Sequence, residues 1–300
     1  AIDNSFNVVR TRIDKFGVVQ PNIQKLEGQE GRIMVEMPGI REPERVRKLL
    51  QGSANLEFWE TFNSDEIVPY LVQLDQRLAN GETTADTTAV ADTAKVAKAA
   101  EPKLELNANK KGNAKLSVTD EAKIAEAKRA HPLLSMLQTT GNGALALVGF
   151  ASVRDTAEIN KAIYSATAKQ VLPSDLKLMW SAKPEDGIKA KNVYGLYAIK
   201  VTTANGRAPL EGDVITDAKD QFNSVTGAPE VGMTMNTEGS RRWAALTKAN
   251  TGKAIAIVLD GVVYSAPRVN HEIDGGQSSI SGSFTIEDTK DLANTLKSGR

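Results

Sequence analysis

The spacing of apolar residues changes period several times along the chain, and each change marks an element. Ile2, Phe6, Val9, Ile13 and Phe16 stand four, three, four and three residues apart, one face of an amphipathic helix that Gly17 ends. Residues 21–26 and 32–37 read as two strands, with Ile33, Val35 and Met37 on one face and the glycine-bounded turn 28–31 between them. Pro38-Gly39 breaks the second strand, and Pro43 suits the first turn of a short helix carrying Val46, Leu49 and Leu50. Residues 54–62 form a further strand with Leu56 and Phe58 on one face. The order helix, strand, strand, helix, strand is that of a ferredoxin-like βαββαβ unit without its first strand. That strand either lies upstream of Ala1 or has its place filled by another segment. Ala1 opens straight into the helical pattern, which reads as a piece of something longer.

The middle of the chain changes character. No Phe, Trp or Tyr occurs between Tyr70 and Phe150, and 12 of the 18 residues from 83 to 100 are Ala or Thr. Such a stretch offers too little apolar surface to offset its ordering entropy, so 81–115 is predicted to be weakly ordered. Order returns with a charged helix over 119–130 and a strand over 144–150. A helix over 155–170 carries Ile159, Ile163 and Ala166, and strands follow over 176–180 and 193–201, giving a βαββ pattern.

The last hundred residues are patterned most clearly. A strand over 231–235 precedes a helix over 237–249 that buries Trp243 and Leu246 and stops at Asn250 and Gly252. Strands over 254–259 and 262–266 flank Asp260-Gly261, a strong hairpin signal. A short strand follows over 278–281. Thr285-Ile286-Glu287-Asp288 is a capping box opening a helix that runs to about Lys297.

Composition narrows the chemistry. With 37 Lys plus Arg against 37 Asp plus Glu, the formal charge is zero, which does not advertise nucleic acid as a partner. The absence of cysteine removes thiol catalysis, Cys-ligated zinc and iron–sulfur clusters. The uncharged stretch from His131 to Val153 is interrupted by Gln138-Thr139-Thr140-Gly141-Asn142-Gly143, which bilayer hydrocarbon would not accept, so no membrane span is expected. The two histidines, His131 and His271, have no carboxylate at ligand spacing beside them, and there is no Gly-x-Ser-x-Gly elbow. Gly141-Asn142-Gly143 and Gly275-Gly276-Gln277 match no phosphate-binding fingerprint and read as turns. Asp213, Asp217 and Asp220, at near-helical spacing, read as a solvated helix face. Taken alone, these residues describe an α+β binding or scaffolding protein with no catalytic residues, no metal and no cofactor.

Several stretches are more specific. Arg10-Thr11-Arg12-Ile13-Asp14-Lys15-Phe16-Gly17-Val18, Pro21-Asn22-Ile23-Gln24 and Arg32-Ile33-Met34-Val35-Glu36-Met37-Pro38-Gly39-Ile40 resemble the opening signature of the SecD family, and Ala54-Asn55-Leu56-Glu57-Phe58 fits its next strand. Leu210-Glu211-Gly212-Asp213-Val214 is similar to the family's Leu-Thr-Gly motif, with Glu211 departing from it. The run from Val231 to Arg300 resembles the family most, through Glu238-Gly239-Ser240, Ala256-Ile257-Val258-Leu259-Asp260-Gly261, Ser265-Ala266-Pro267 and Ile280-Ser281-Gly282-Ser283-Phe284-Thr285. Residues 63–207 lie outside this likeness.

The resemblance implies the first large periplasmic domain of a protein-export accessory on the outer face of the bacterial inner membrane. Its ferredoxin-like base would comprise 1–62 and 285–300, and an α+β head would be inserted as 63–284. The partners implied are unfolded preprotein, SecF and the SecYEG channel, with the membrane met only through transmembrane segments elsewhere in the protein. The alternative is a porter-like domain of a proton-driven efflux pump; the low aromatic content, 5%, suits a drug pocket poorly. A head that swings would hinge where the chain crosses between the parts, at Thr61, Phe62 and Asn63 and at Ser283, Phe284 and Thr285. Peptide is expected to add to a sheet edge, and Val231-Gly232-Met233-Thr234-Met235, with Met233 and Met235 on one face, is the candidate strand. Packing of both methionines into the core is the competing expectation.

Overall fold

The computed structural model describes residues 22–25, 33–36, 56–81, 118–141, 143–185, 192–282 and 284–298. Strands β1 (Asn22–Lys25), β2 (Ile33–Glu36) and β3 (Leu56–Thr61) lead into helix α1 (Ser64–Ala79) and helix α2 (Val118–Ala130). Then come β4 (Gln138–Thr139), β5 (Leu147–Ser152), α3 (Thr156–Ile163), α4 (Ala166–Val171), β6 (Leu176–Trp180), β7 (Val193–Lys200) and β8 (Leu210–Glu211). The last part holds β9 (Ile215–Phe222), β10 (Pro229–Met235), α5 (Thr237–Ala249), β11 (Ile255–Leu259), β12 (Val262–Ser265), β13 (Gln277–Ile280) and α6 (Ile286–Ser298). The helix expected over 2–16, the turn 28–31, the short helix after Pro43, most of the 81–115 stretch and Ser283 lie outside the described residues.

The strands form three antiparallel sheets. β1 and β2 pair only with each other among the described residues, from Asn22↔Glu36 to Lys25↔Ile33. A second sheet has the order β13-β10-β9. The largest runs β12-β11-β3-β7-β5-β4, with β6 added to β7 and β8 to β3. The ferredoxin-like arrangement expected of the N-terminal part is not established by these pairings. β3, which was to complete that unit, is instead a central strand between β11 and β7.

Alternation on the large sheet divides the apolar residues among three cores. On one face, Leu56 and Phe58 of β3 and Ile255, Ile257 and Leu259 of β11 meet Val231, Met233 and Met235 of β10, Trp243 of α5 and Leu292, Ala293 and Leu296 of α6. The rings of Phe58 and Trp243 lie 4.8 Å apart and tilted, a favourable aromatic geometry. Further along the same face, Leu178, Leu196 and Ala198 pack under Ile67, Leu71 and Leu74 of α1 and Ile159 and Ile163 of α3. The other face collects Trp59, Ile199, Ala256, Val258 and Val263. That face is folded on itself, because a parallel bridge, Ser181↔Val263, joins the end of β6 to β12 and closes the ring β12-β11-β3-β7-β6.

Three sequence readings change. The single helix expected over 155–170 is two helices. Ser165 breaks it, its hydroxyl accepting from Ala168 N to cap α4, so Ala168 is buried and Ala166 is exposed. The Asp213, Asp217 and Asp220 region holds no helical face: 212–214 is one 3-10 turn and 215–222 is β9. A bulge opposite Thr234 and Met235 inserts a residue, so Ile215 and Ala218, three apart, face the same core and imitate a helical period. Helix α1 was not anticipated. It opens where the Asn63 backbone N–H donates to Glu66 Oε2, and it carries Ile67, Leu71 and Leu74 at helical spacing despite Pro69 inside it.

Two glycines of the motifs noted above have a packing reason. A Cβ on Gly212 would stand 3.0 Å from Leu56 Cβ, and one on Gly239 would stand 2.5 Å from Val214 Cβ. The Leu-Glu-Gly and Glu-Gly-Ser motifs thus bring the 3-10 turn against β3 and α5 against that turn.

Candidate functional site

The residues picked out in the sequence are placed as follows. Met233 and Met235 are 3% and 6% exposed, inside the first core, and β10 is paired on both edges, with β9 and with β13. A peptide could add to this strand only by displacing a neighbour. Thr61 ends β3 opposite Ile199, its hydroxyl donates to Ala254 O, and Phe62 N donates to Ala198 O. The first crossing is thereby tied to both β7 and the approach to β11. At the second, Phe284 packs against the first core, and Thr285 caps α6 as expected: Asp288 N donates to the Thr285 hydroxyl and Thr285 N to Asp288 Oδ2. Asp288 also pairs with Lys183. Residues 286–298 pack on β9 and β10.

The histidines lie far apart in use as in sequence. His131 is 60% exposed and its Nδ1 is 2.9 Å from Asp75 Oδ2, a partner 56 positions away that local spacing could not suggest. Asp75 is buried at the end of α1, where its Oδ1 also accepts from Leu133 N and Leu134 N. This carboxylate organises a turn. His271 lines a small cavity of about 180 Å³ beside Trp243 and Ile273. No cluster of three or more His, Cys, Asp or Glu that could hold a metal occurs among the described residues.

A groove of about 870 Å³ runs along β6. Its floor is Leu176, Lys177, Leu178, Met179 and Trp180; Ile163, Tyr164, Ala168 and Leu172 of the α3–α4 region form one wall, and Gly261 and Val262 of the β11–β12 turn the other. The wall exists because α3 stops at Ile163 and α4 restarts at Ala166. The opposite side exists because Asp260 and Gly261, both with positive φ, turn the hairpin tightly.

The register fixes which peptide groups face this groove. Val201 N donates to Asp175 O, and Ser181 N donates to Gly195 O, so the odd-numbered residues of β6 exchange hydrogen bonds with β7. Leu176, Leu178 and Trp180 therefore aim their peptide groups outward. Leu176 N is used locally by Pro173 O, and Leu178 O accepts from the Tyr164 hydroxyl at 2.7 Å. Leu178 N–H and Leu176 C=O have no protein partner among the described residues. Trp180 is held by its indole N–H on Asn160 Oδ1. Lys169 and Lys177 line the groove with no carboxylate among its lining residues, and the Lys177 ammonium also stands 5.0 Å from the centre of the Trp59 ring. Desolvation of the hydroxyl where it meets β6 pushes the Tyr164 phenol above its ordinary pKa, although much of the residue is exposed.

Residues 195–300 match the family model of the SecDF P1 head subdomain, and residues 2–62 match that of the N-terminal part of the P1 domain of protein translocase subunit SecDF. The class is therefore that of a P1 domain of a protein translocase subunit. Over its whole length the chain is 39% identical to the protein translocase subunit SecD of Rhodothermus marinus, of which it covers 44%. It is 27% identical to the SecD of Calditerrivibrio nitroreducens, covering 38% of that protein. A solved structure of a membrane component, SecDF, that enhances protein export aligns with 99% of this chain and 86% of its own at 23% identity, with a TM-score of 0.45, too loose a superposition to carry a structural argument. The chain belongs to the SecD/SecDF family, and it spans less than half the length of these two curated relatives. No helix among the described residues is long and apolar enough to cross a membrane. The groove is built largely from 160–180, between the two stretches that the family models match.

Proposed function

We propose that this chain is the periplasmic, preprotein-holding module of a SecD-type export accessory, working without catalysis of its own beside SecF and the SecYEG channel. Its grip on unfolded polypeptide would help proton-motive-force-driven completion of translocation, with proton-conducting groups in transmembrane parts of the full protein. The observation that carries this reading is 39% identity, over the whole of this chain, to part of a protein translocase subunit SecD. An open groove with unpaired peptide groups supports it, because main-chain recognition tolerates many sequences. The test is export of a secreted reporter in cells depleted of SecD. The full-length protein should restore it, and a protein lacking residues 1–300 should not; restoration by the truncated protein would refute the reading.

A swing between the base (1–62 and 285–300) and the head (63–284) belongs to the same proposal, hinged at Thr61, Phe62, Asn63, Ser283, Phe284 and Thr285. Bending at the first crossing has to break the Thr61 and Phe62 bonds described above. The chain has no cysteine, so Glu60→Cys with Lys200→Cys, directly opposite in the ladder, gives a specific lock. A fully oxidised lock should stop stimulation of export; unchanged export would exclude bending at that crossing.

A further inference from the structure

Resting on the preprotein-holding reading, we infer that the groove along β6 binds an extended peptide as an added antiparallel strand, and that it favours peptides alternating apolar with acidic side chains. β12 meets β6 only at the bridge Ser181↔Val263 beyond its C-terminal end, so the outer side of β6 is open over its first half, where the unpaired Leu176 C=O and Leu178 N–H lie. A peptide residue opposite Leu178 donates its N–H to Leu178 O and accepts from Leu178 N–H, as in any hydrogen-bonded antiparallel pair. That carbonyl is at present held by the Tyr164 hydroxyl, which occupies the place of a peptide N–H. Tyr164 is 59% exposed, so it can turn out to solvent when a strand arrives.

The two faces of the added strand meet different chemistry. Side chains on the Leu178 side contact Ile163, Ala168 and Leu172, an apolar wall. Side chains one position either way fall on the Lys177 and Met179 side, where the Lys177 ammonium waits, and Lys169 stands at the rim. Lys177, with no carboxylate lining the groove, selects acidic residues at those alternate positions, and Lys169 on the α4 wall adds positive charge at the rim. A second copy of this chain would bring the same lysines with it and gain no such complement.

The test is a fluorescent heptapeptide alternating Leu with Asp and Thr, titrated into the 300-residue chain, with N-methyl groups placed one amide at a time. Amides that face β6 alternate with amides that face away, so methylation should weaken binding at least about tenfold at every second position and have little effect between them. Lys169→Glu with Lys177→Glu should weaken the peptide about tenfold at low salt, and less at high salt. Tyr164→Phe, which frees the Leu178 carbonyl, should tighten it about threefold. No binding, a methylation effect without the two-residue period, or a peptide-independent dimer through this edge would overturn the inference. Full rescue of export by the double lysine variant, once shown not to bind the peptide, would likewise overturn it while leaving the export reading standing. Failure of the unmodified protein to rescue export would instead strike the export reading.

Discussion

Replacing Gly239 by alanine tests whether close approach of α5 to the 212–214 turn organises the first core. Gly239 is buried in the first turn of α5, where its N–H donates to Asn236 Oδ1. An added Cβ would stand 2.5 Å from Val214 Cβ, 2.7 Å from Val214 Cγ2 and 3.2 Å from Met235 Cβ. Carbon atoms pack best at about 3.5–4.0 Å, so the first two contacts are overlaps. Two of the three atoms are β-carbons fixed to the backbone, and relief requires moving the helix against the turn. Overpacking of this kind costs about 1–3 kcal/mol. Alanine returns up to about 1 kcal/mol of helix propensity, and less in a first turn. The overlap wins, and a net loss of about 1–2 kcal/mol is expected. Moving the helix also draws Trp243 away from Phe58, so tryptophan fluorescence reports the change. In urea, the midpoint should fall with little change in slope. Val214→Ala removes Cγ2, so the double variant should lose less than the sum of the singles. A Gly239→Ala chain as stable as the parent would refute the close-packing argument.

Three further outcomes follow from particular contacts. Asp75→Ala leaves the N–H groups of Leu133 and Leu134 without their acceptor and should cost about 2–4 kcal/mol, with faster amide exchange at both, whereas His131→Ala, at an exposed ring, should cost under about 1 kcal/mol. Burial acts to raise the Asp288 carboxyl, but hydrogen bonds from Lys183 and Thr285 outweigh it and hold the group below its ordinary 3.8. Its stabilisation is thus present above the unfolded value and lost as pH falls through the lower folded one, so the stability gap between parent and Asp288→Asn should close in urea titrations repeated from pH 7 down to below pH 3.8. Burial, then the neighbouring Glu185 charge and hydrogen bond, push Tyr197 up, and Tyr197→Phe should remove the last-titrating phenol from an alkaline absorbance titration.

Local chemistry made many elements legible. Thr285 and Asp288 satisfy each other's backbone N–H groups within one turn, so that helix start is readable from four residues. Asp260 and Gly261 both adopt positive φ, as the hairpin turn demands, and strand β6 has the bounds its alternation predicts. Elements failed to read where a local signal was ambiguous. Pro69 reads as a breaker, yet α1 passes through it because Ile67, Leu71 and Leu74 are fully buried against the second core. The bulge in β9 gives a strand a helical spacing. Ile159, Ile163 and Ala166 continue one helical face across a break made by the Ser165 cap.

The candidate site was not legible, for a different reason. Whether a strand is central or at an edge depends on partners far away in the chain. β10 looked open and is enclosed by β9 and β13, whereas β6 lies on the far side of β7 from β3 and β5 and keeps its first half open, with β12 reaching only its end. The groove wall from 261–262 lies some eighty residues beyond the strand it faces, and Asp75 meets His131 across 56 positions. Sequence by itself determined caps, turns, the faces of single strands and membership of the SecD/SecDF family, because these are written in neighbouring residues. Tertiary structure alone decided which hydrogen-bonding edge stays unpaired and which side chains surround it, because that is settled only when every other strand has found its partner.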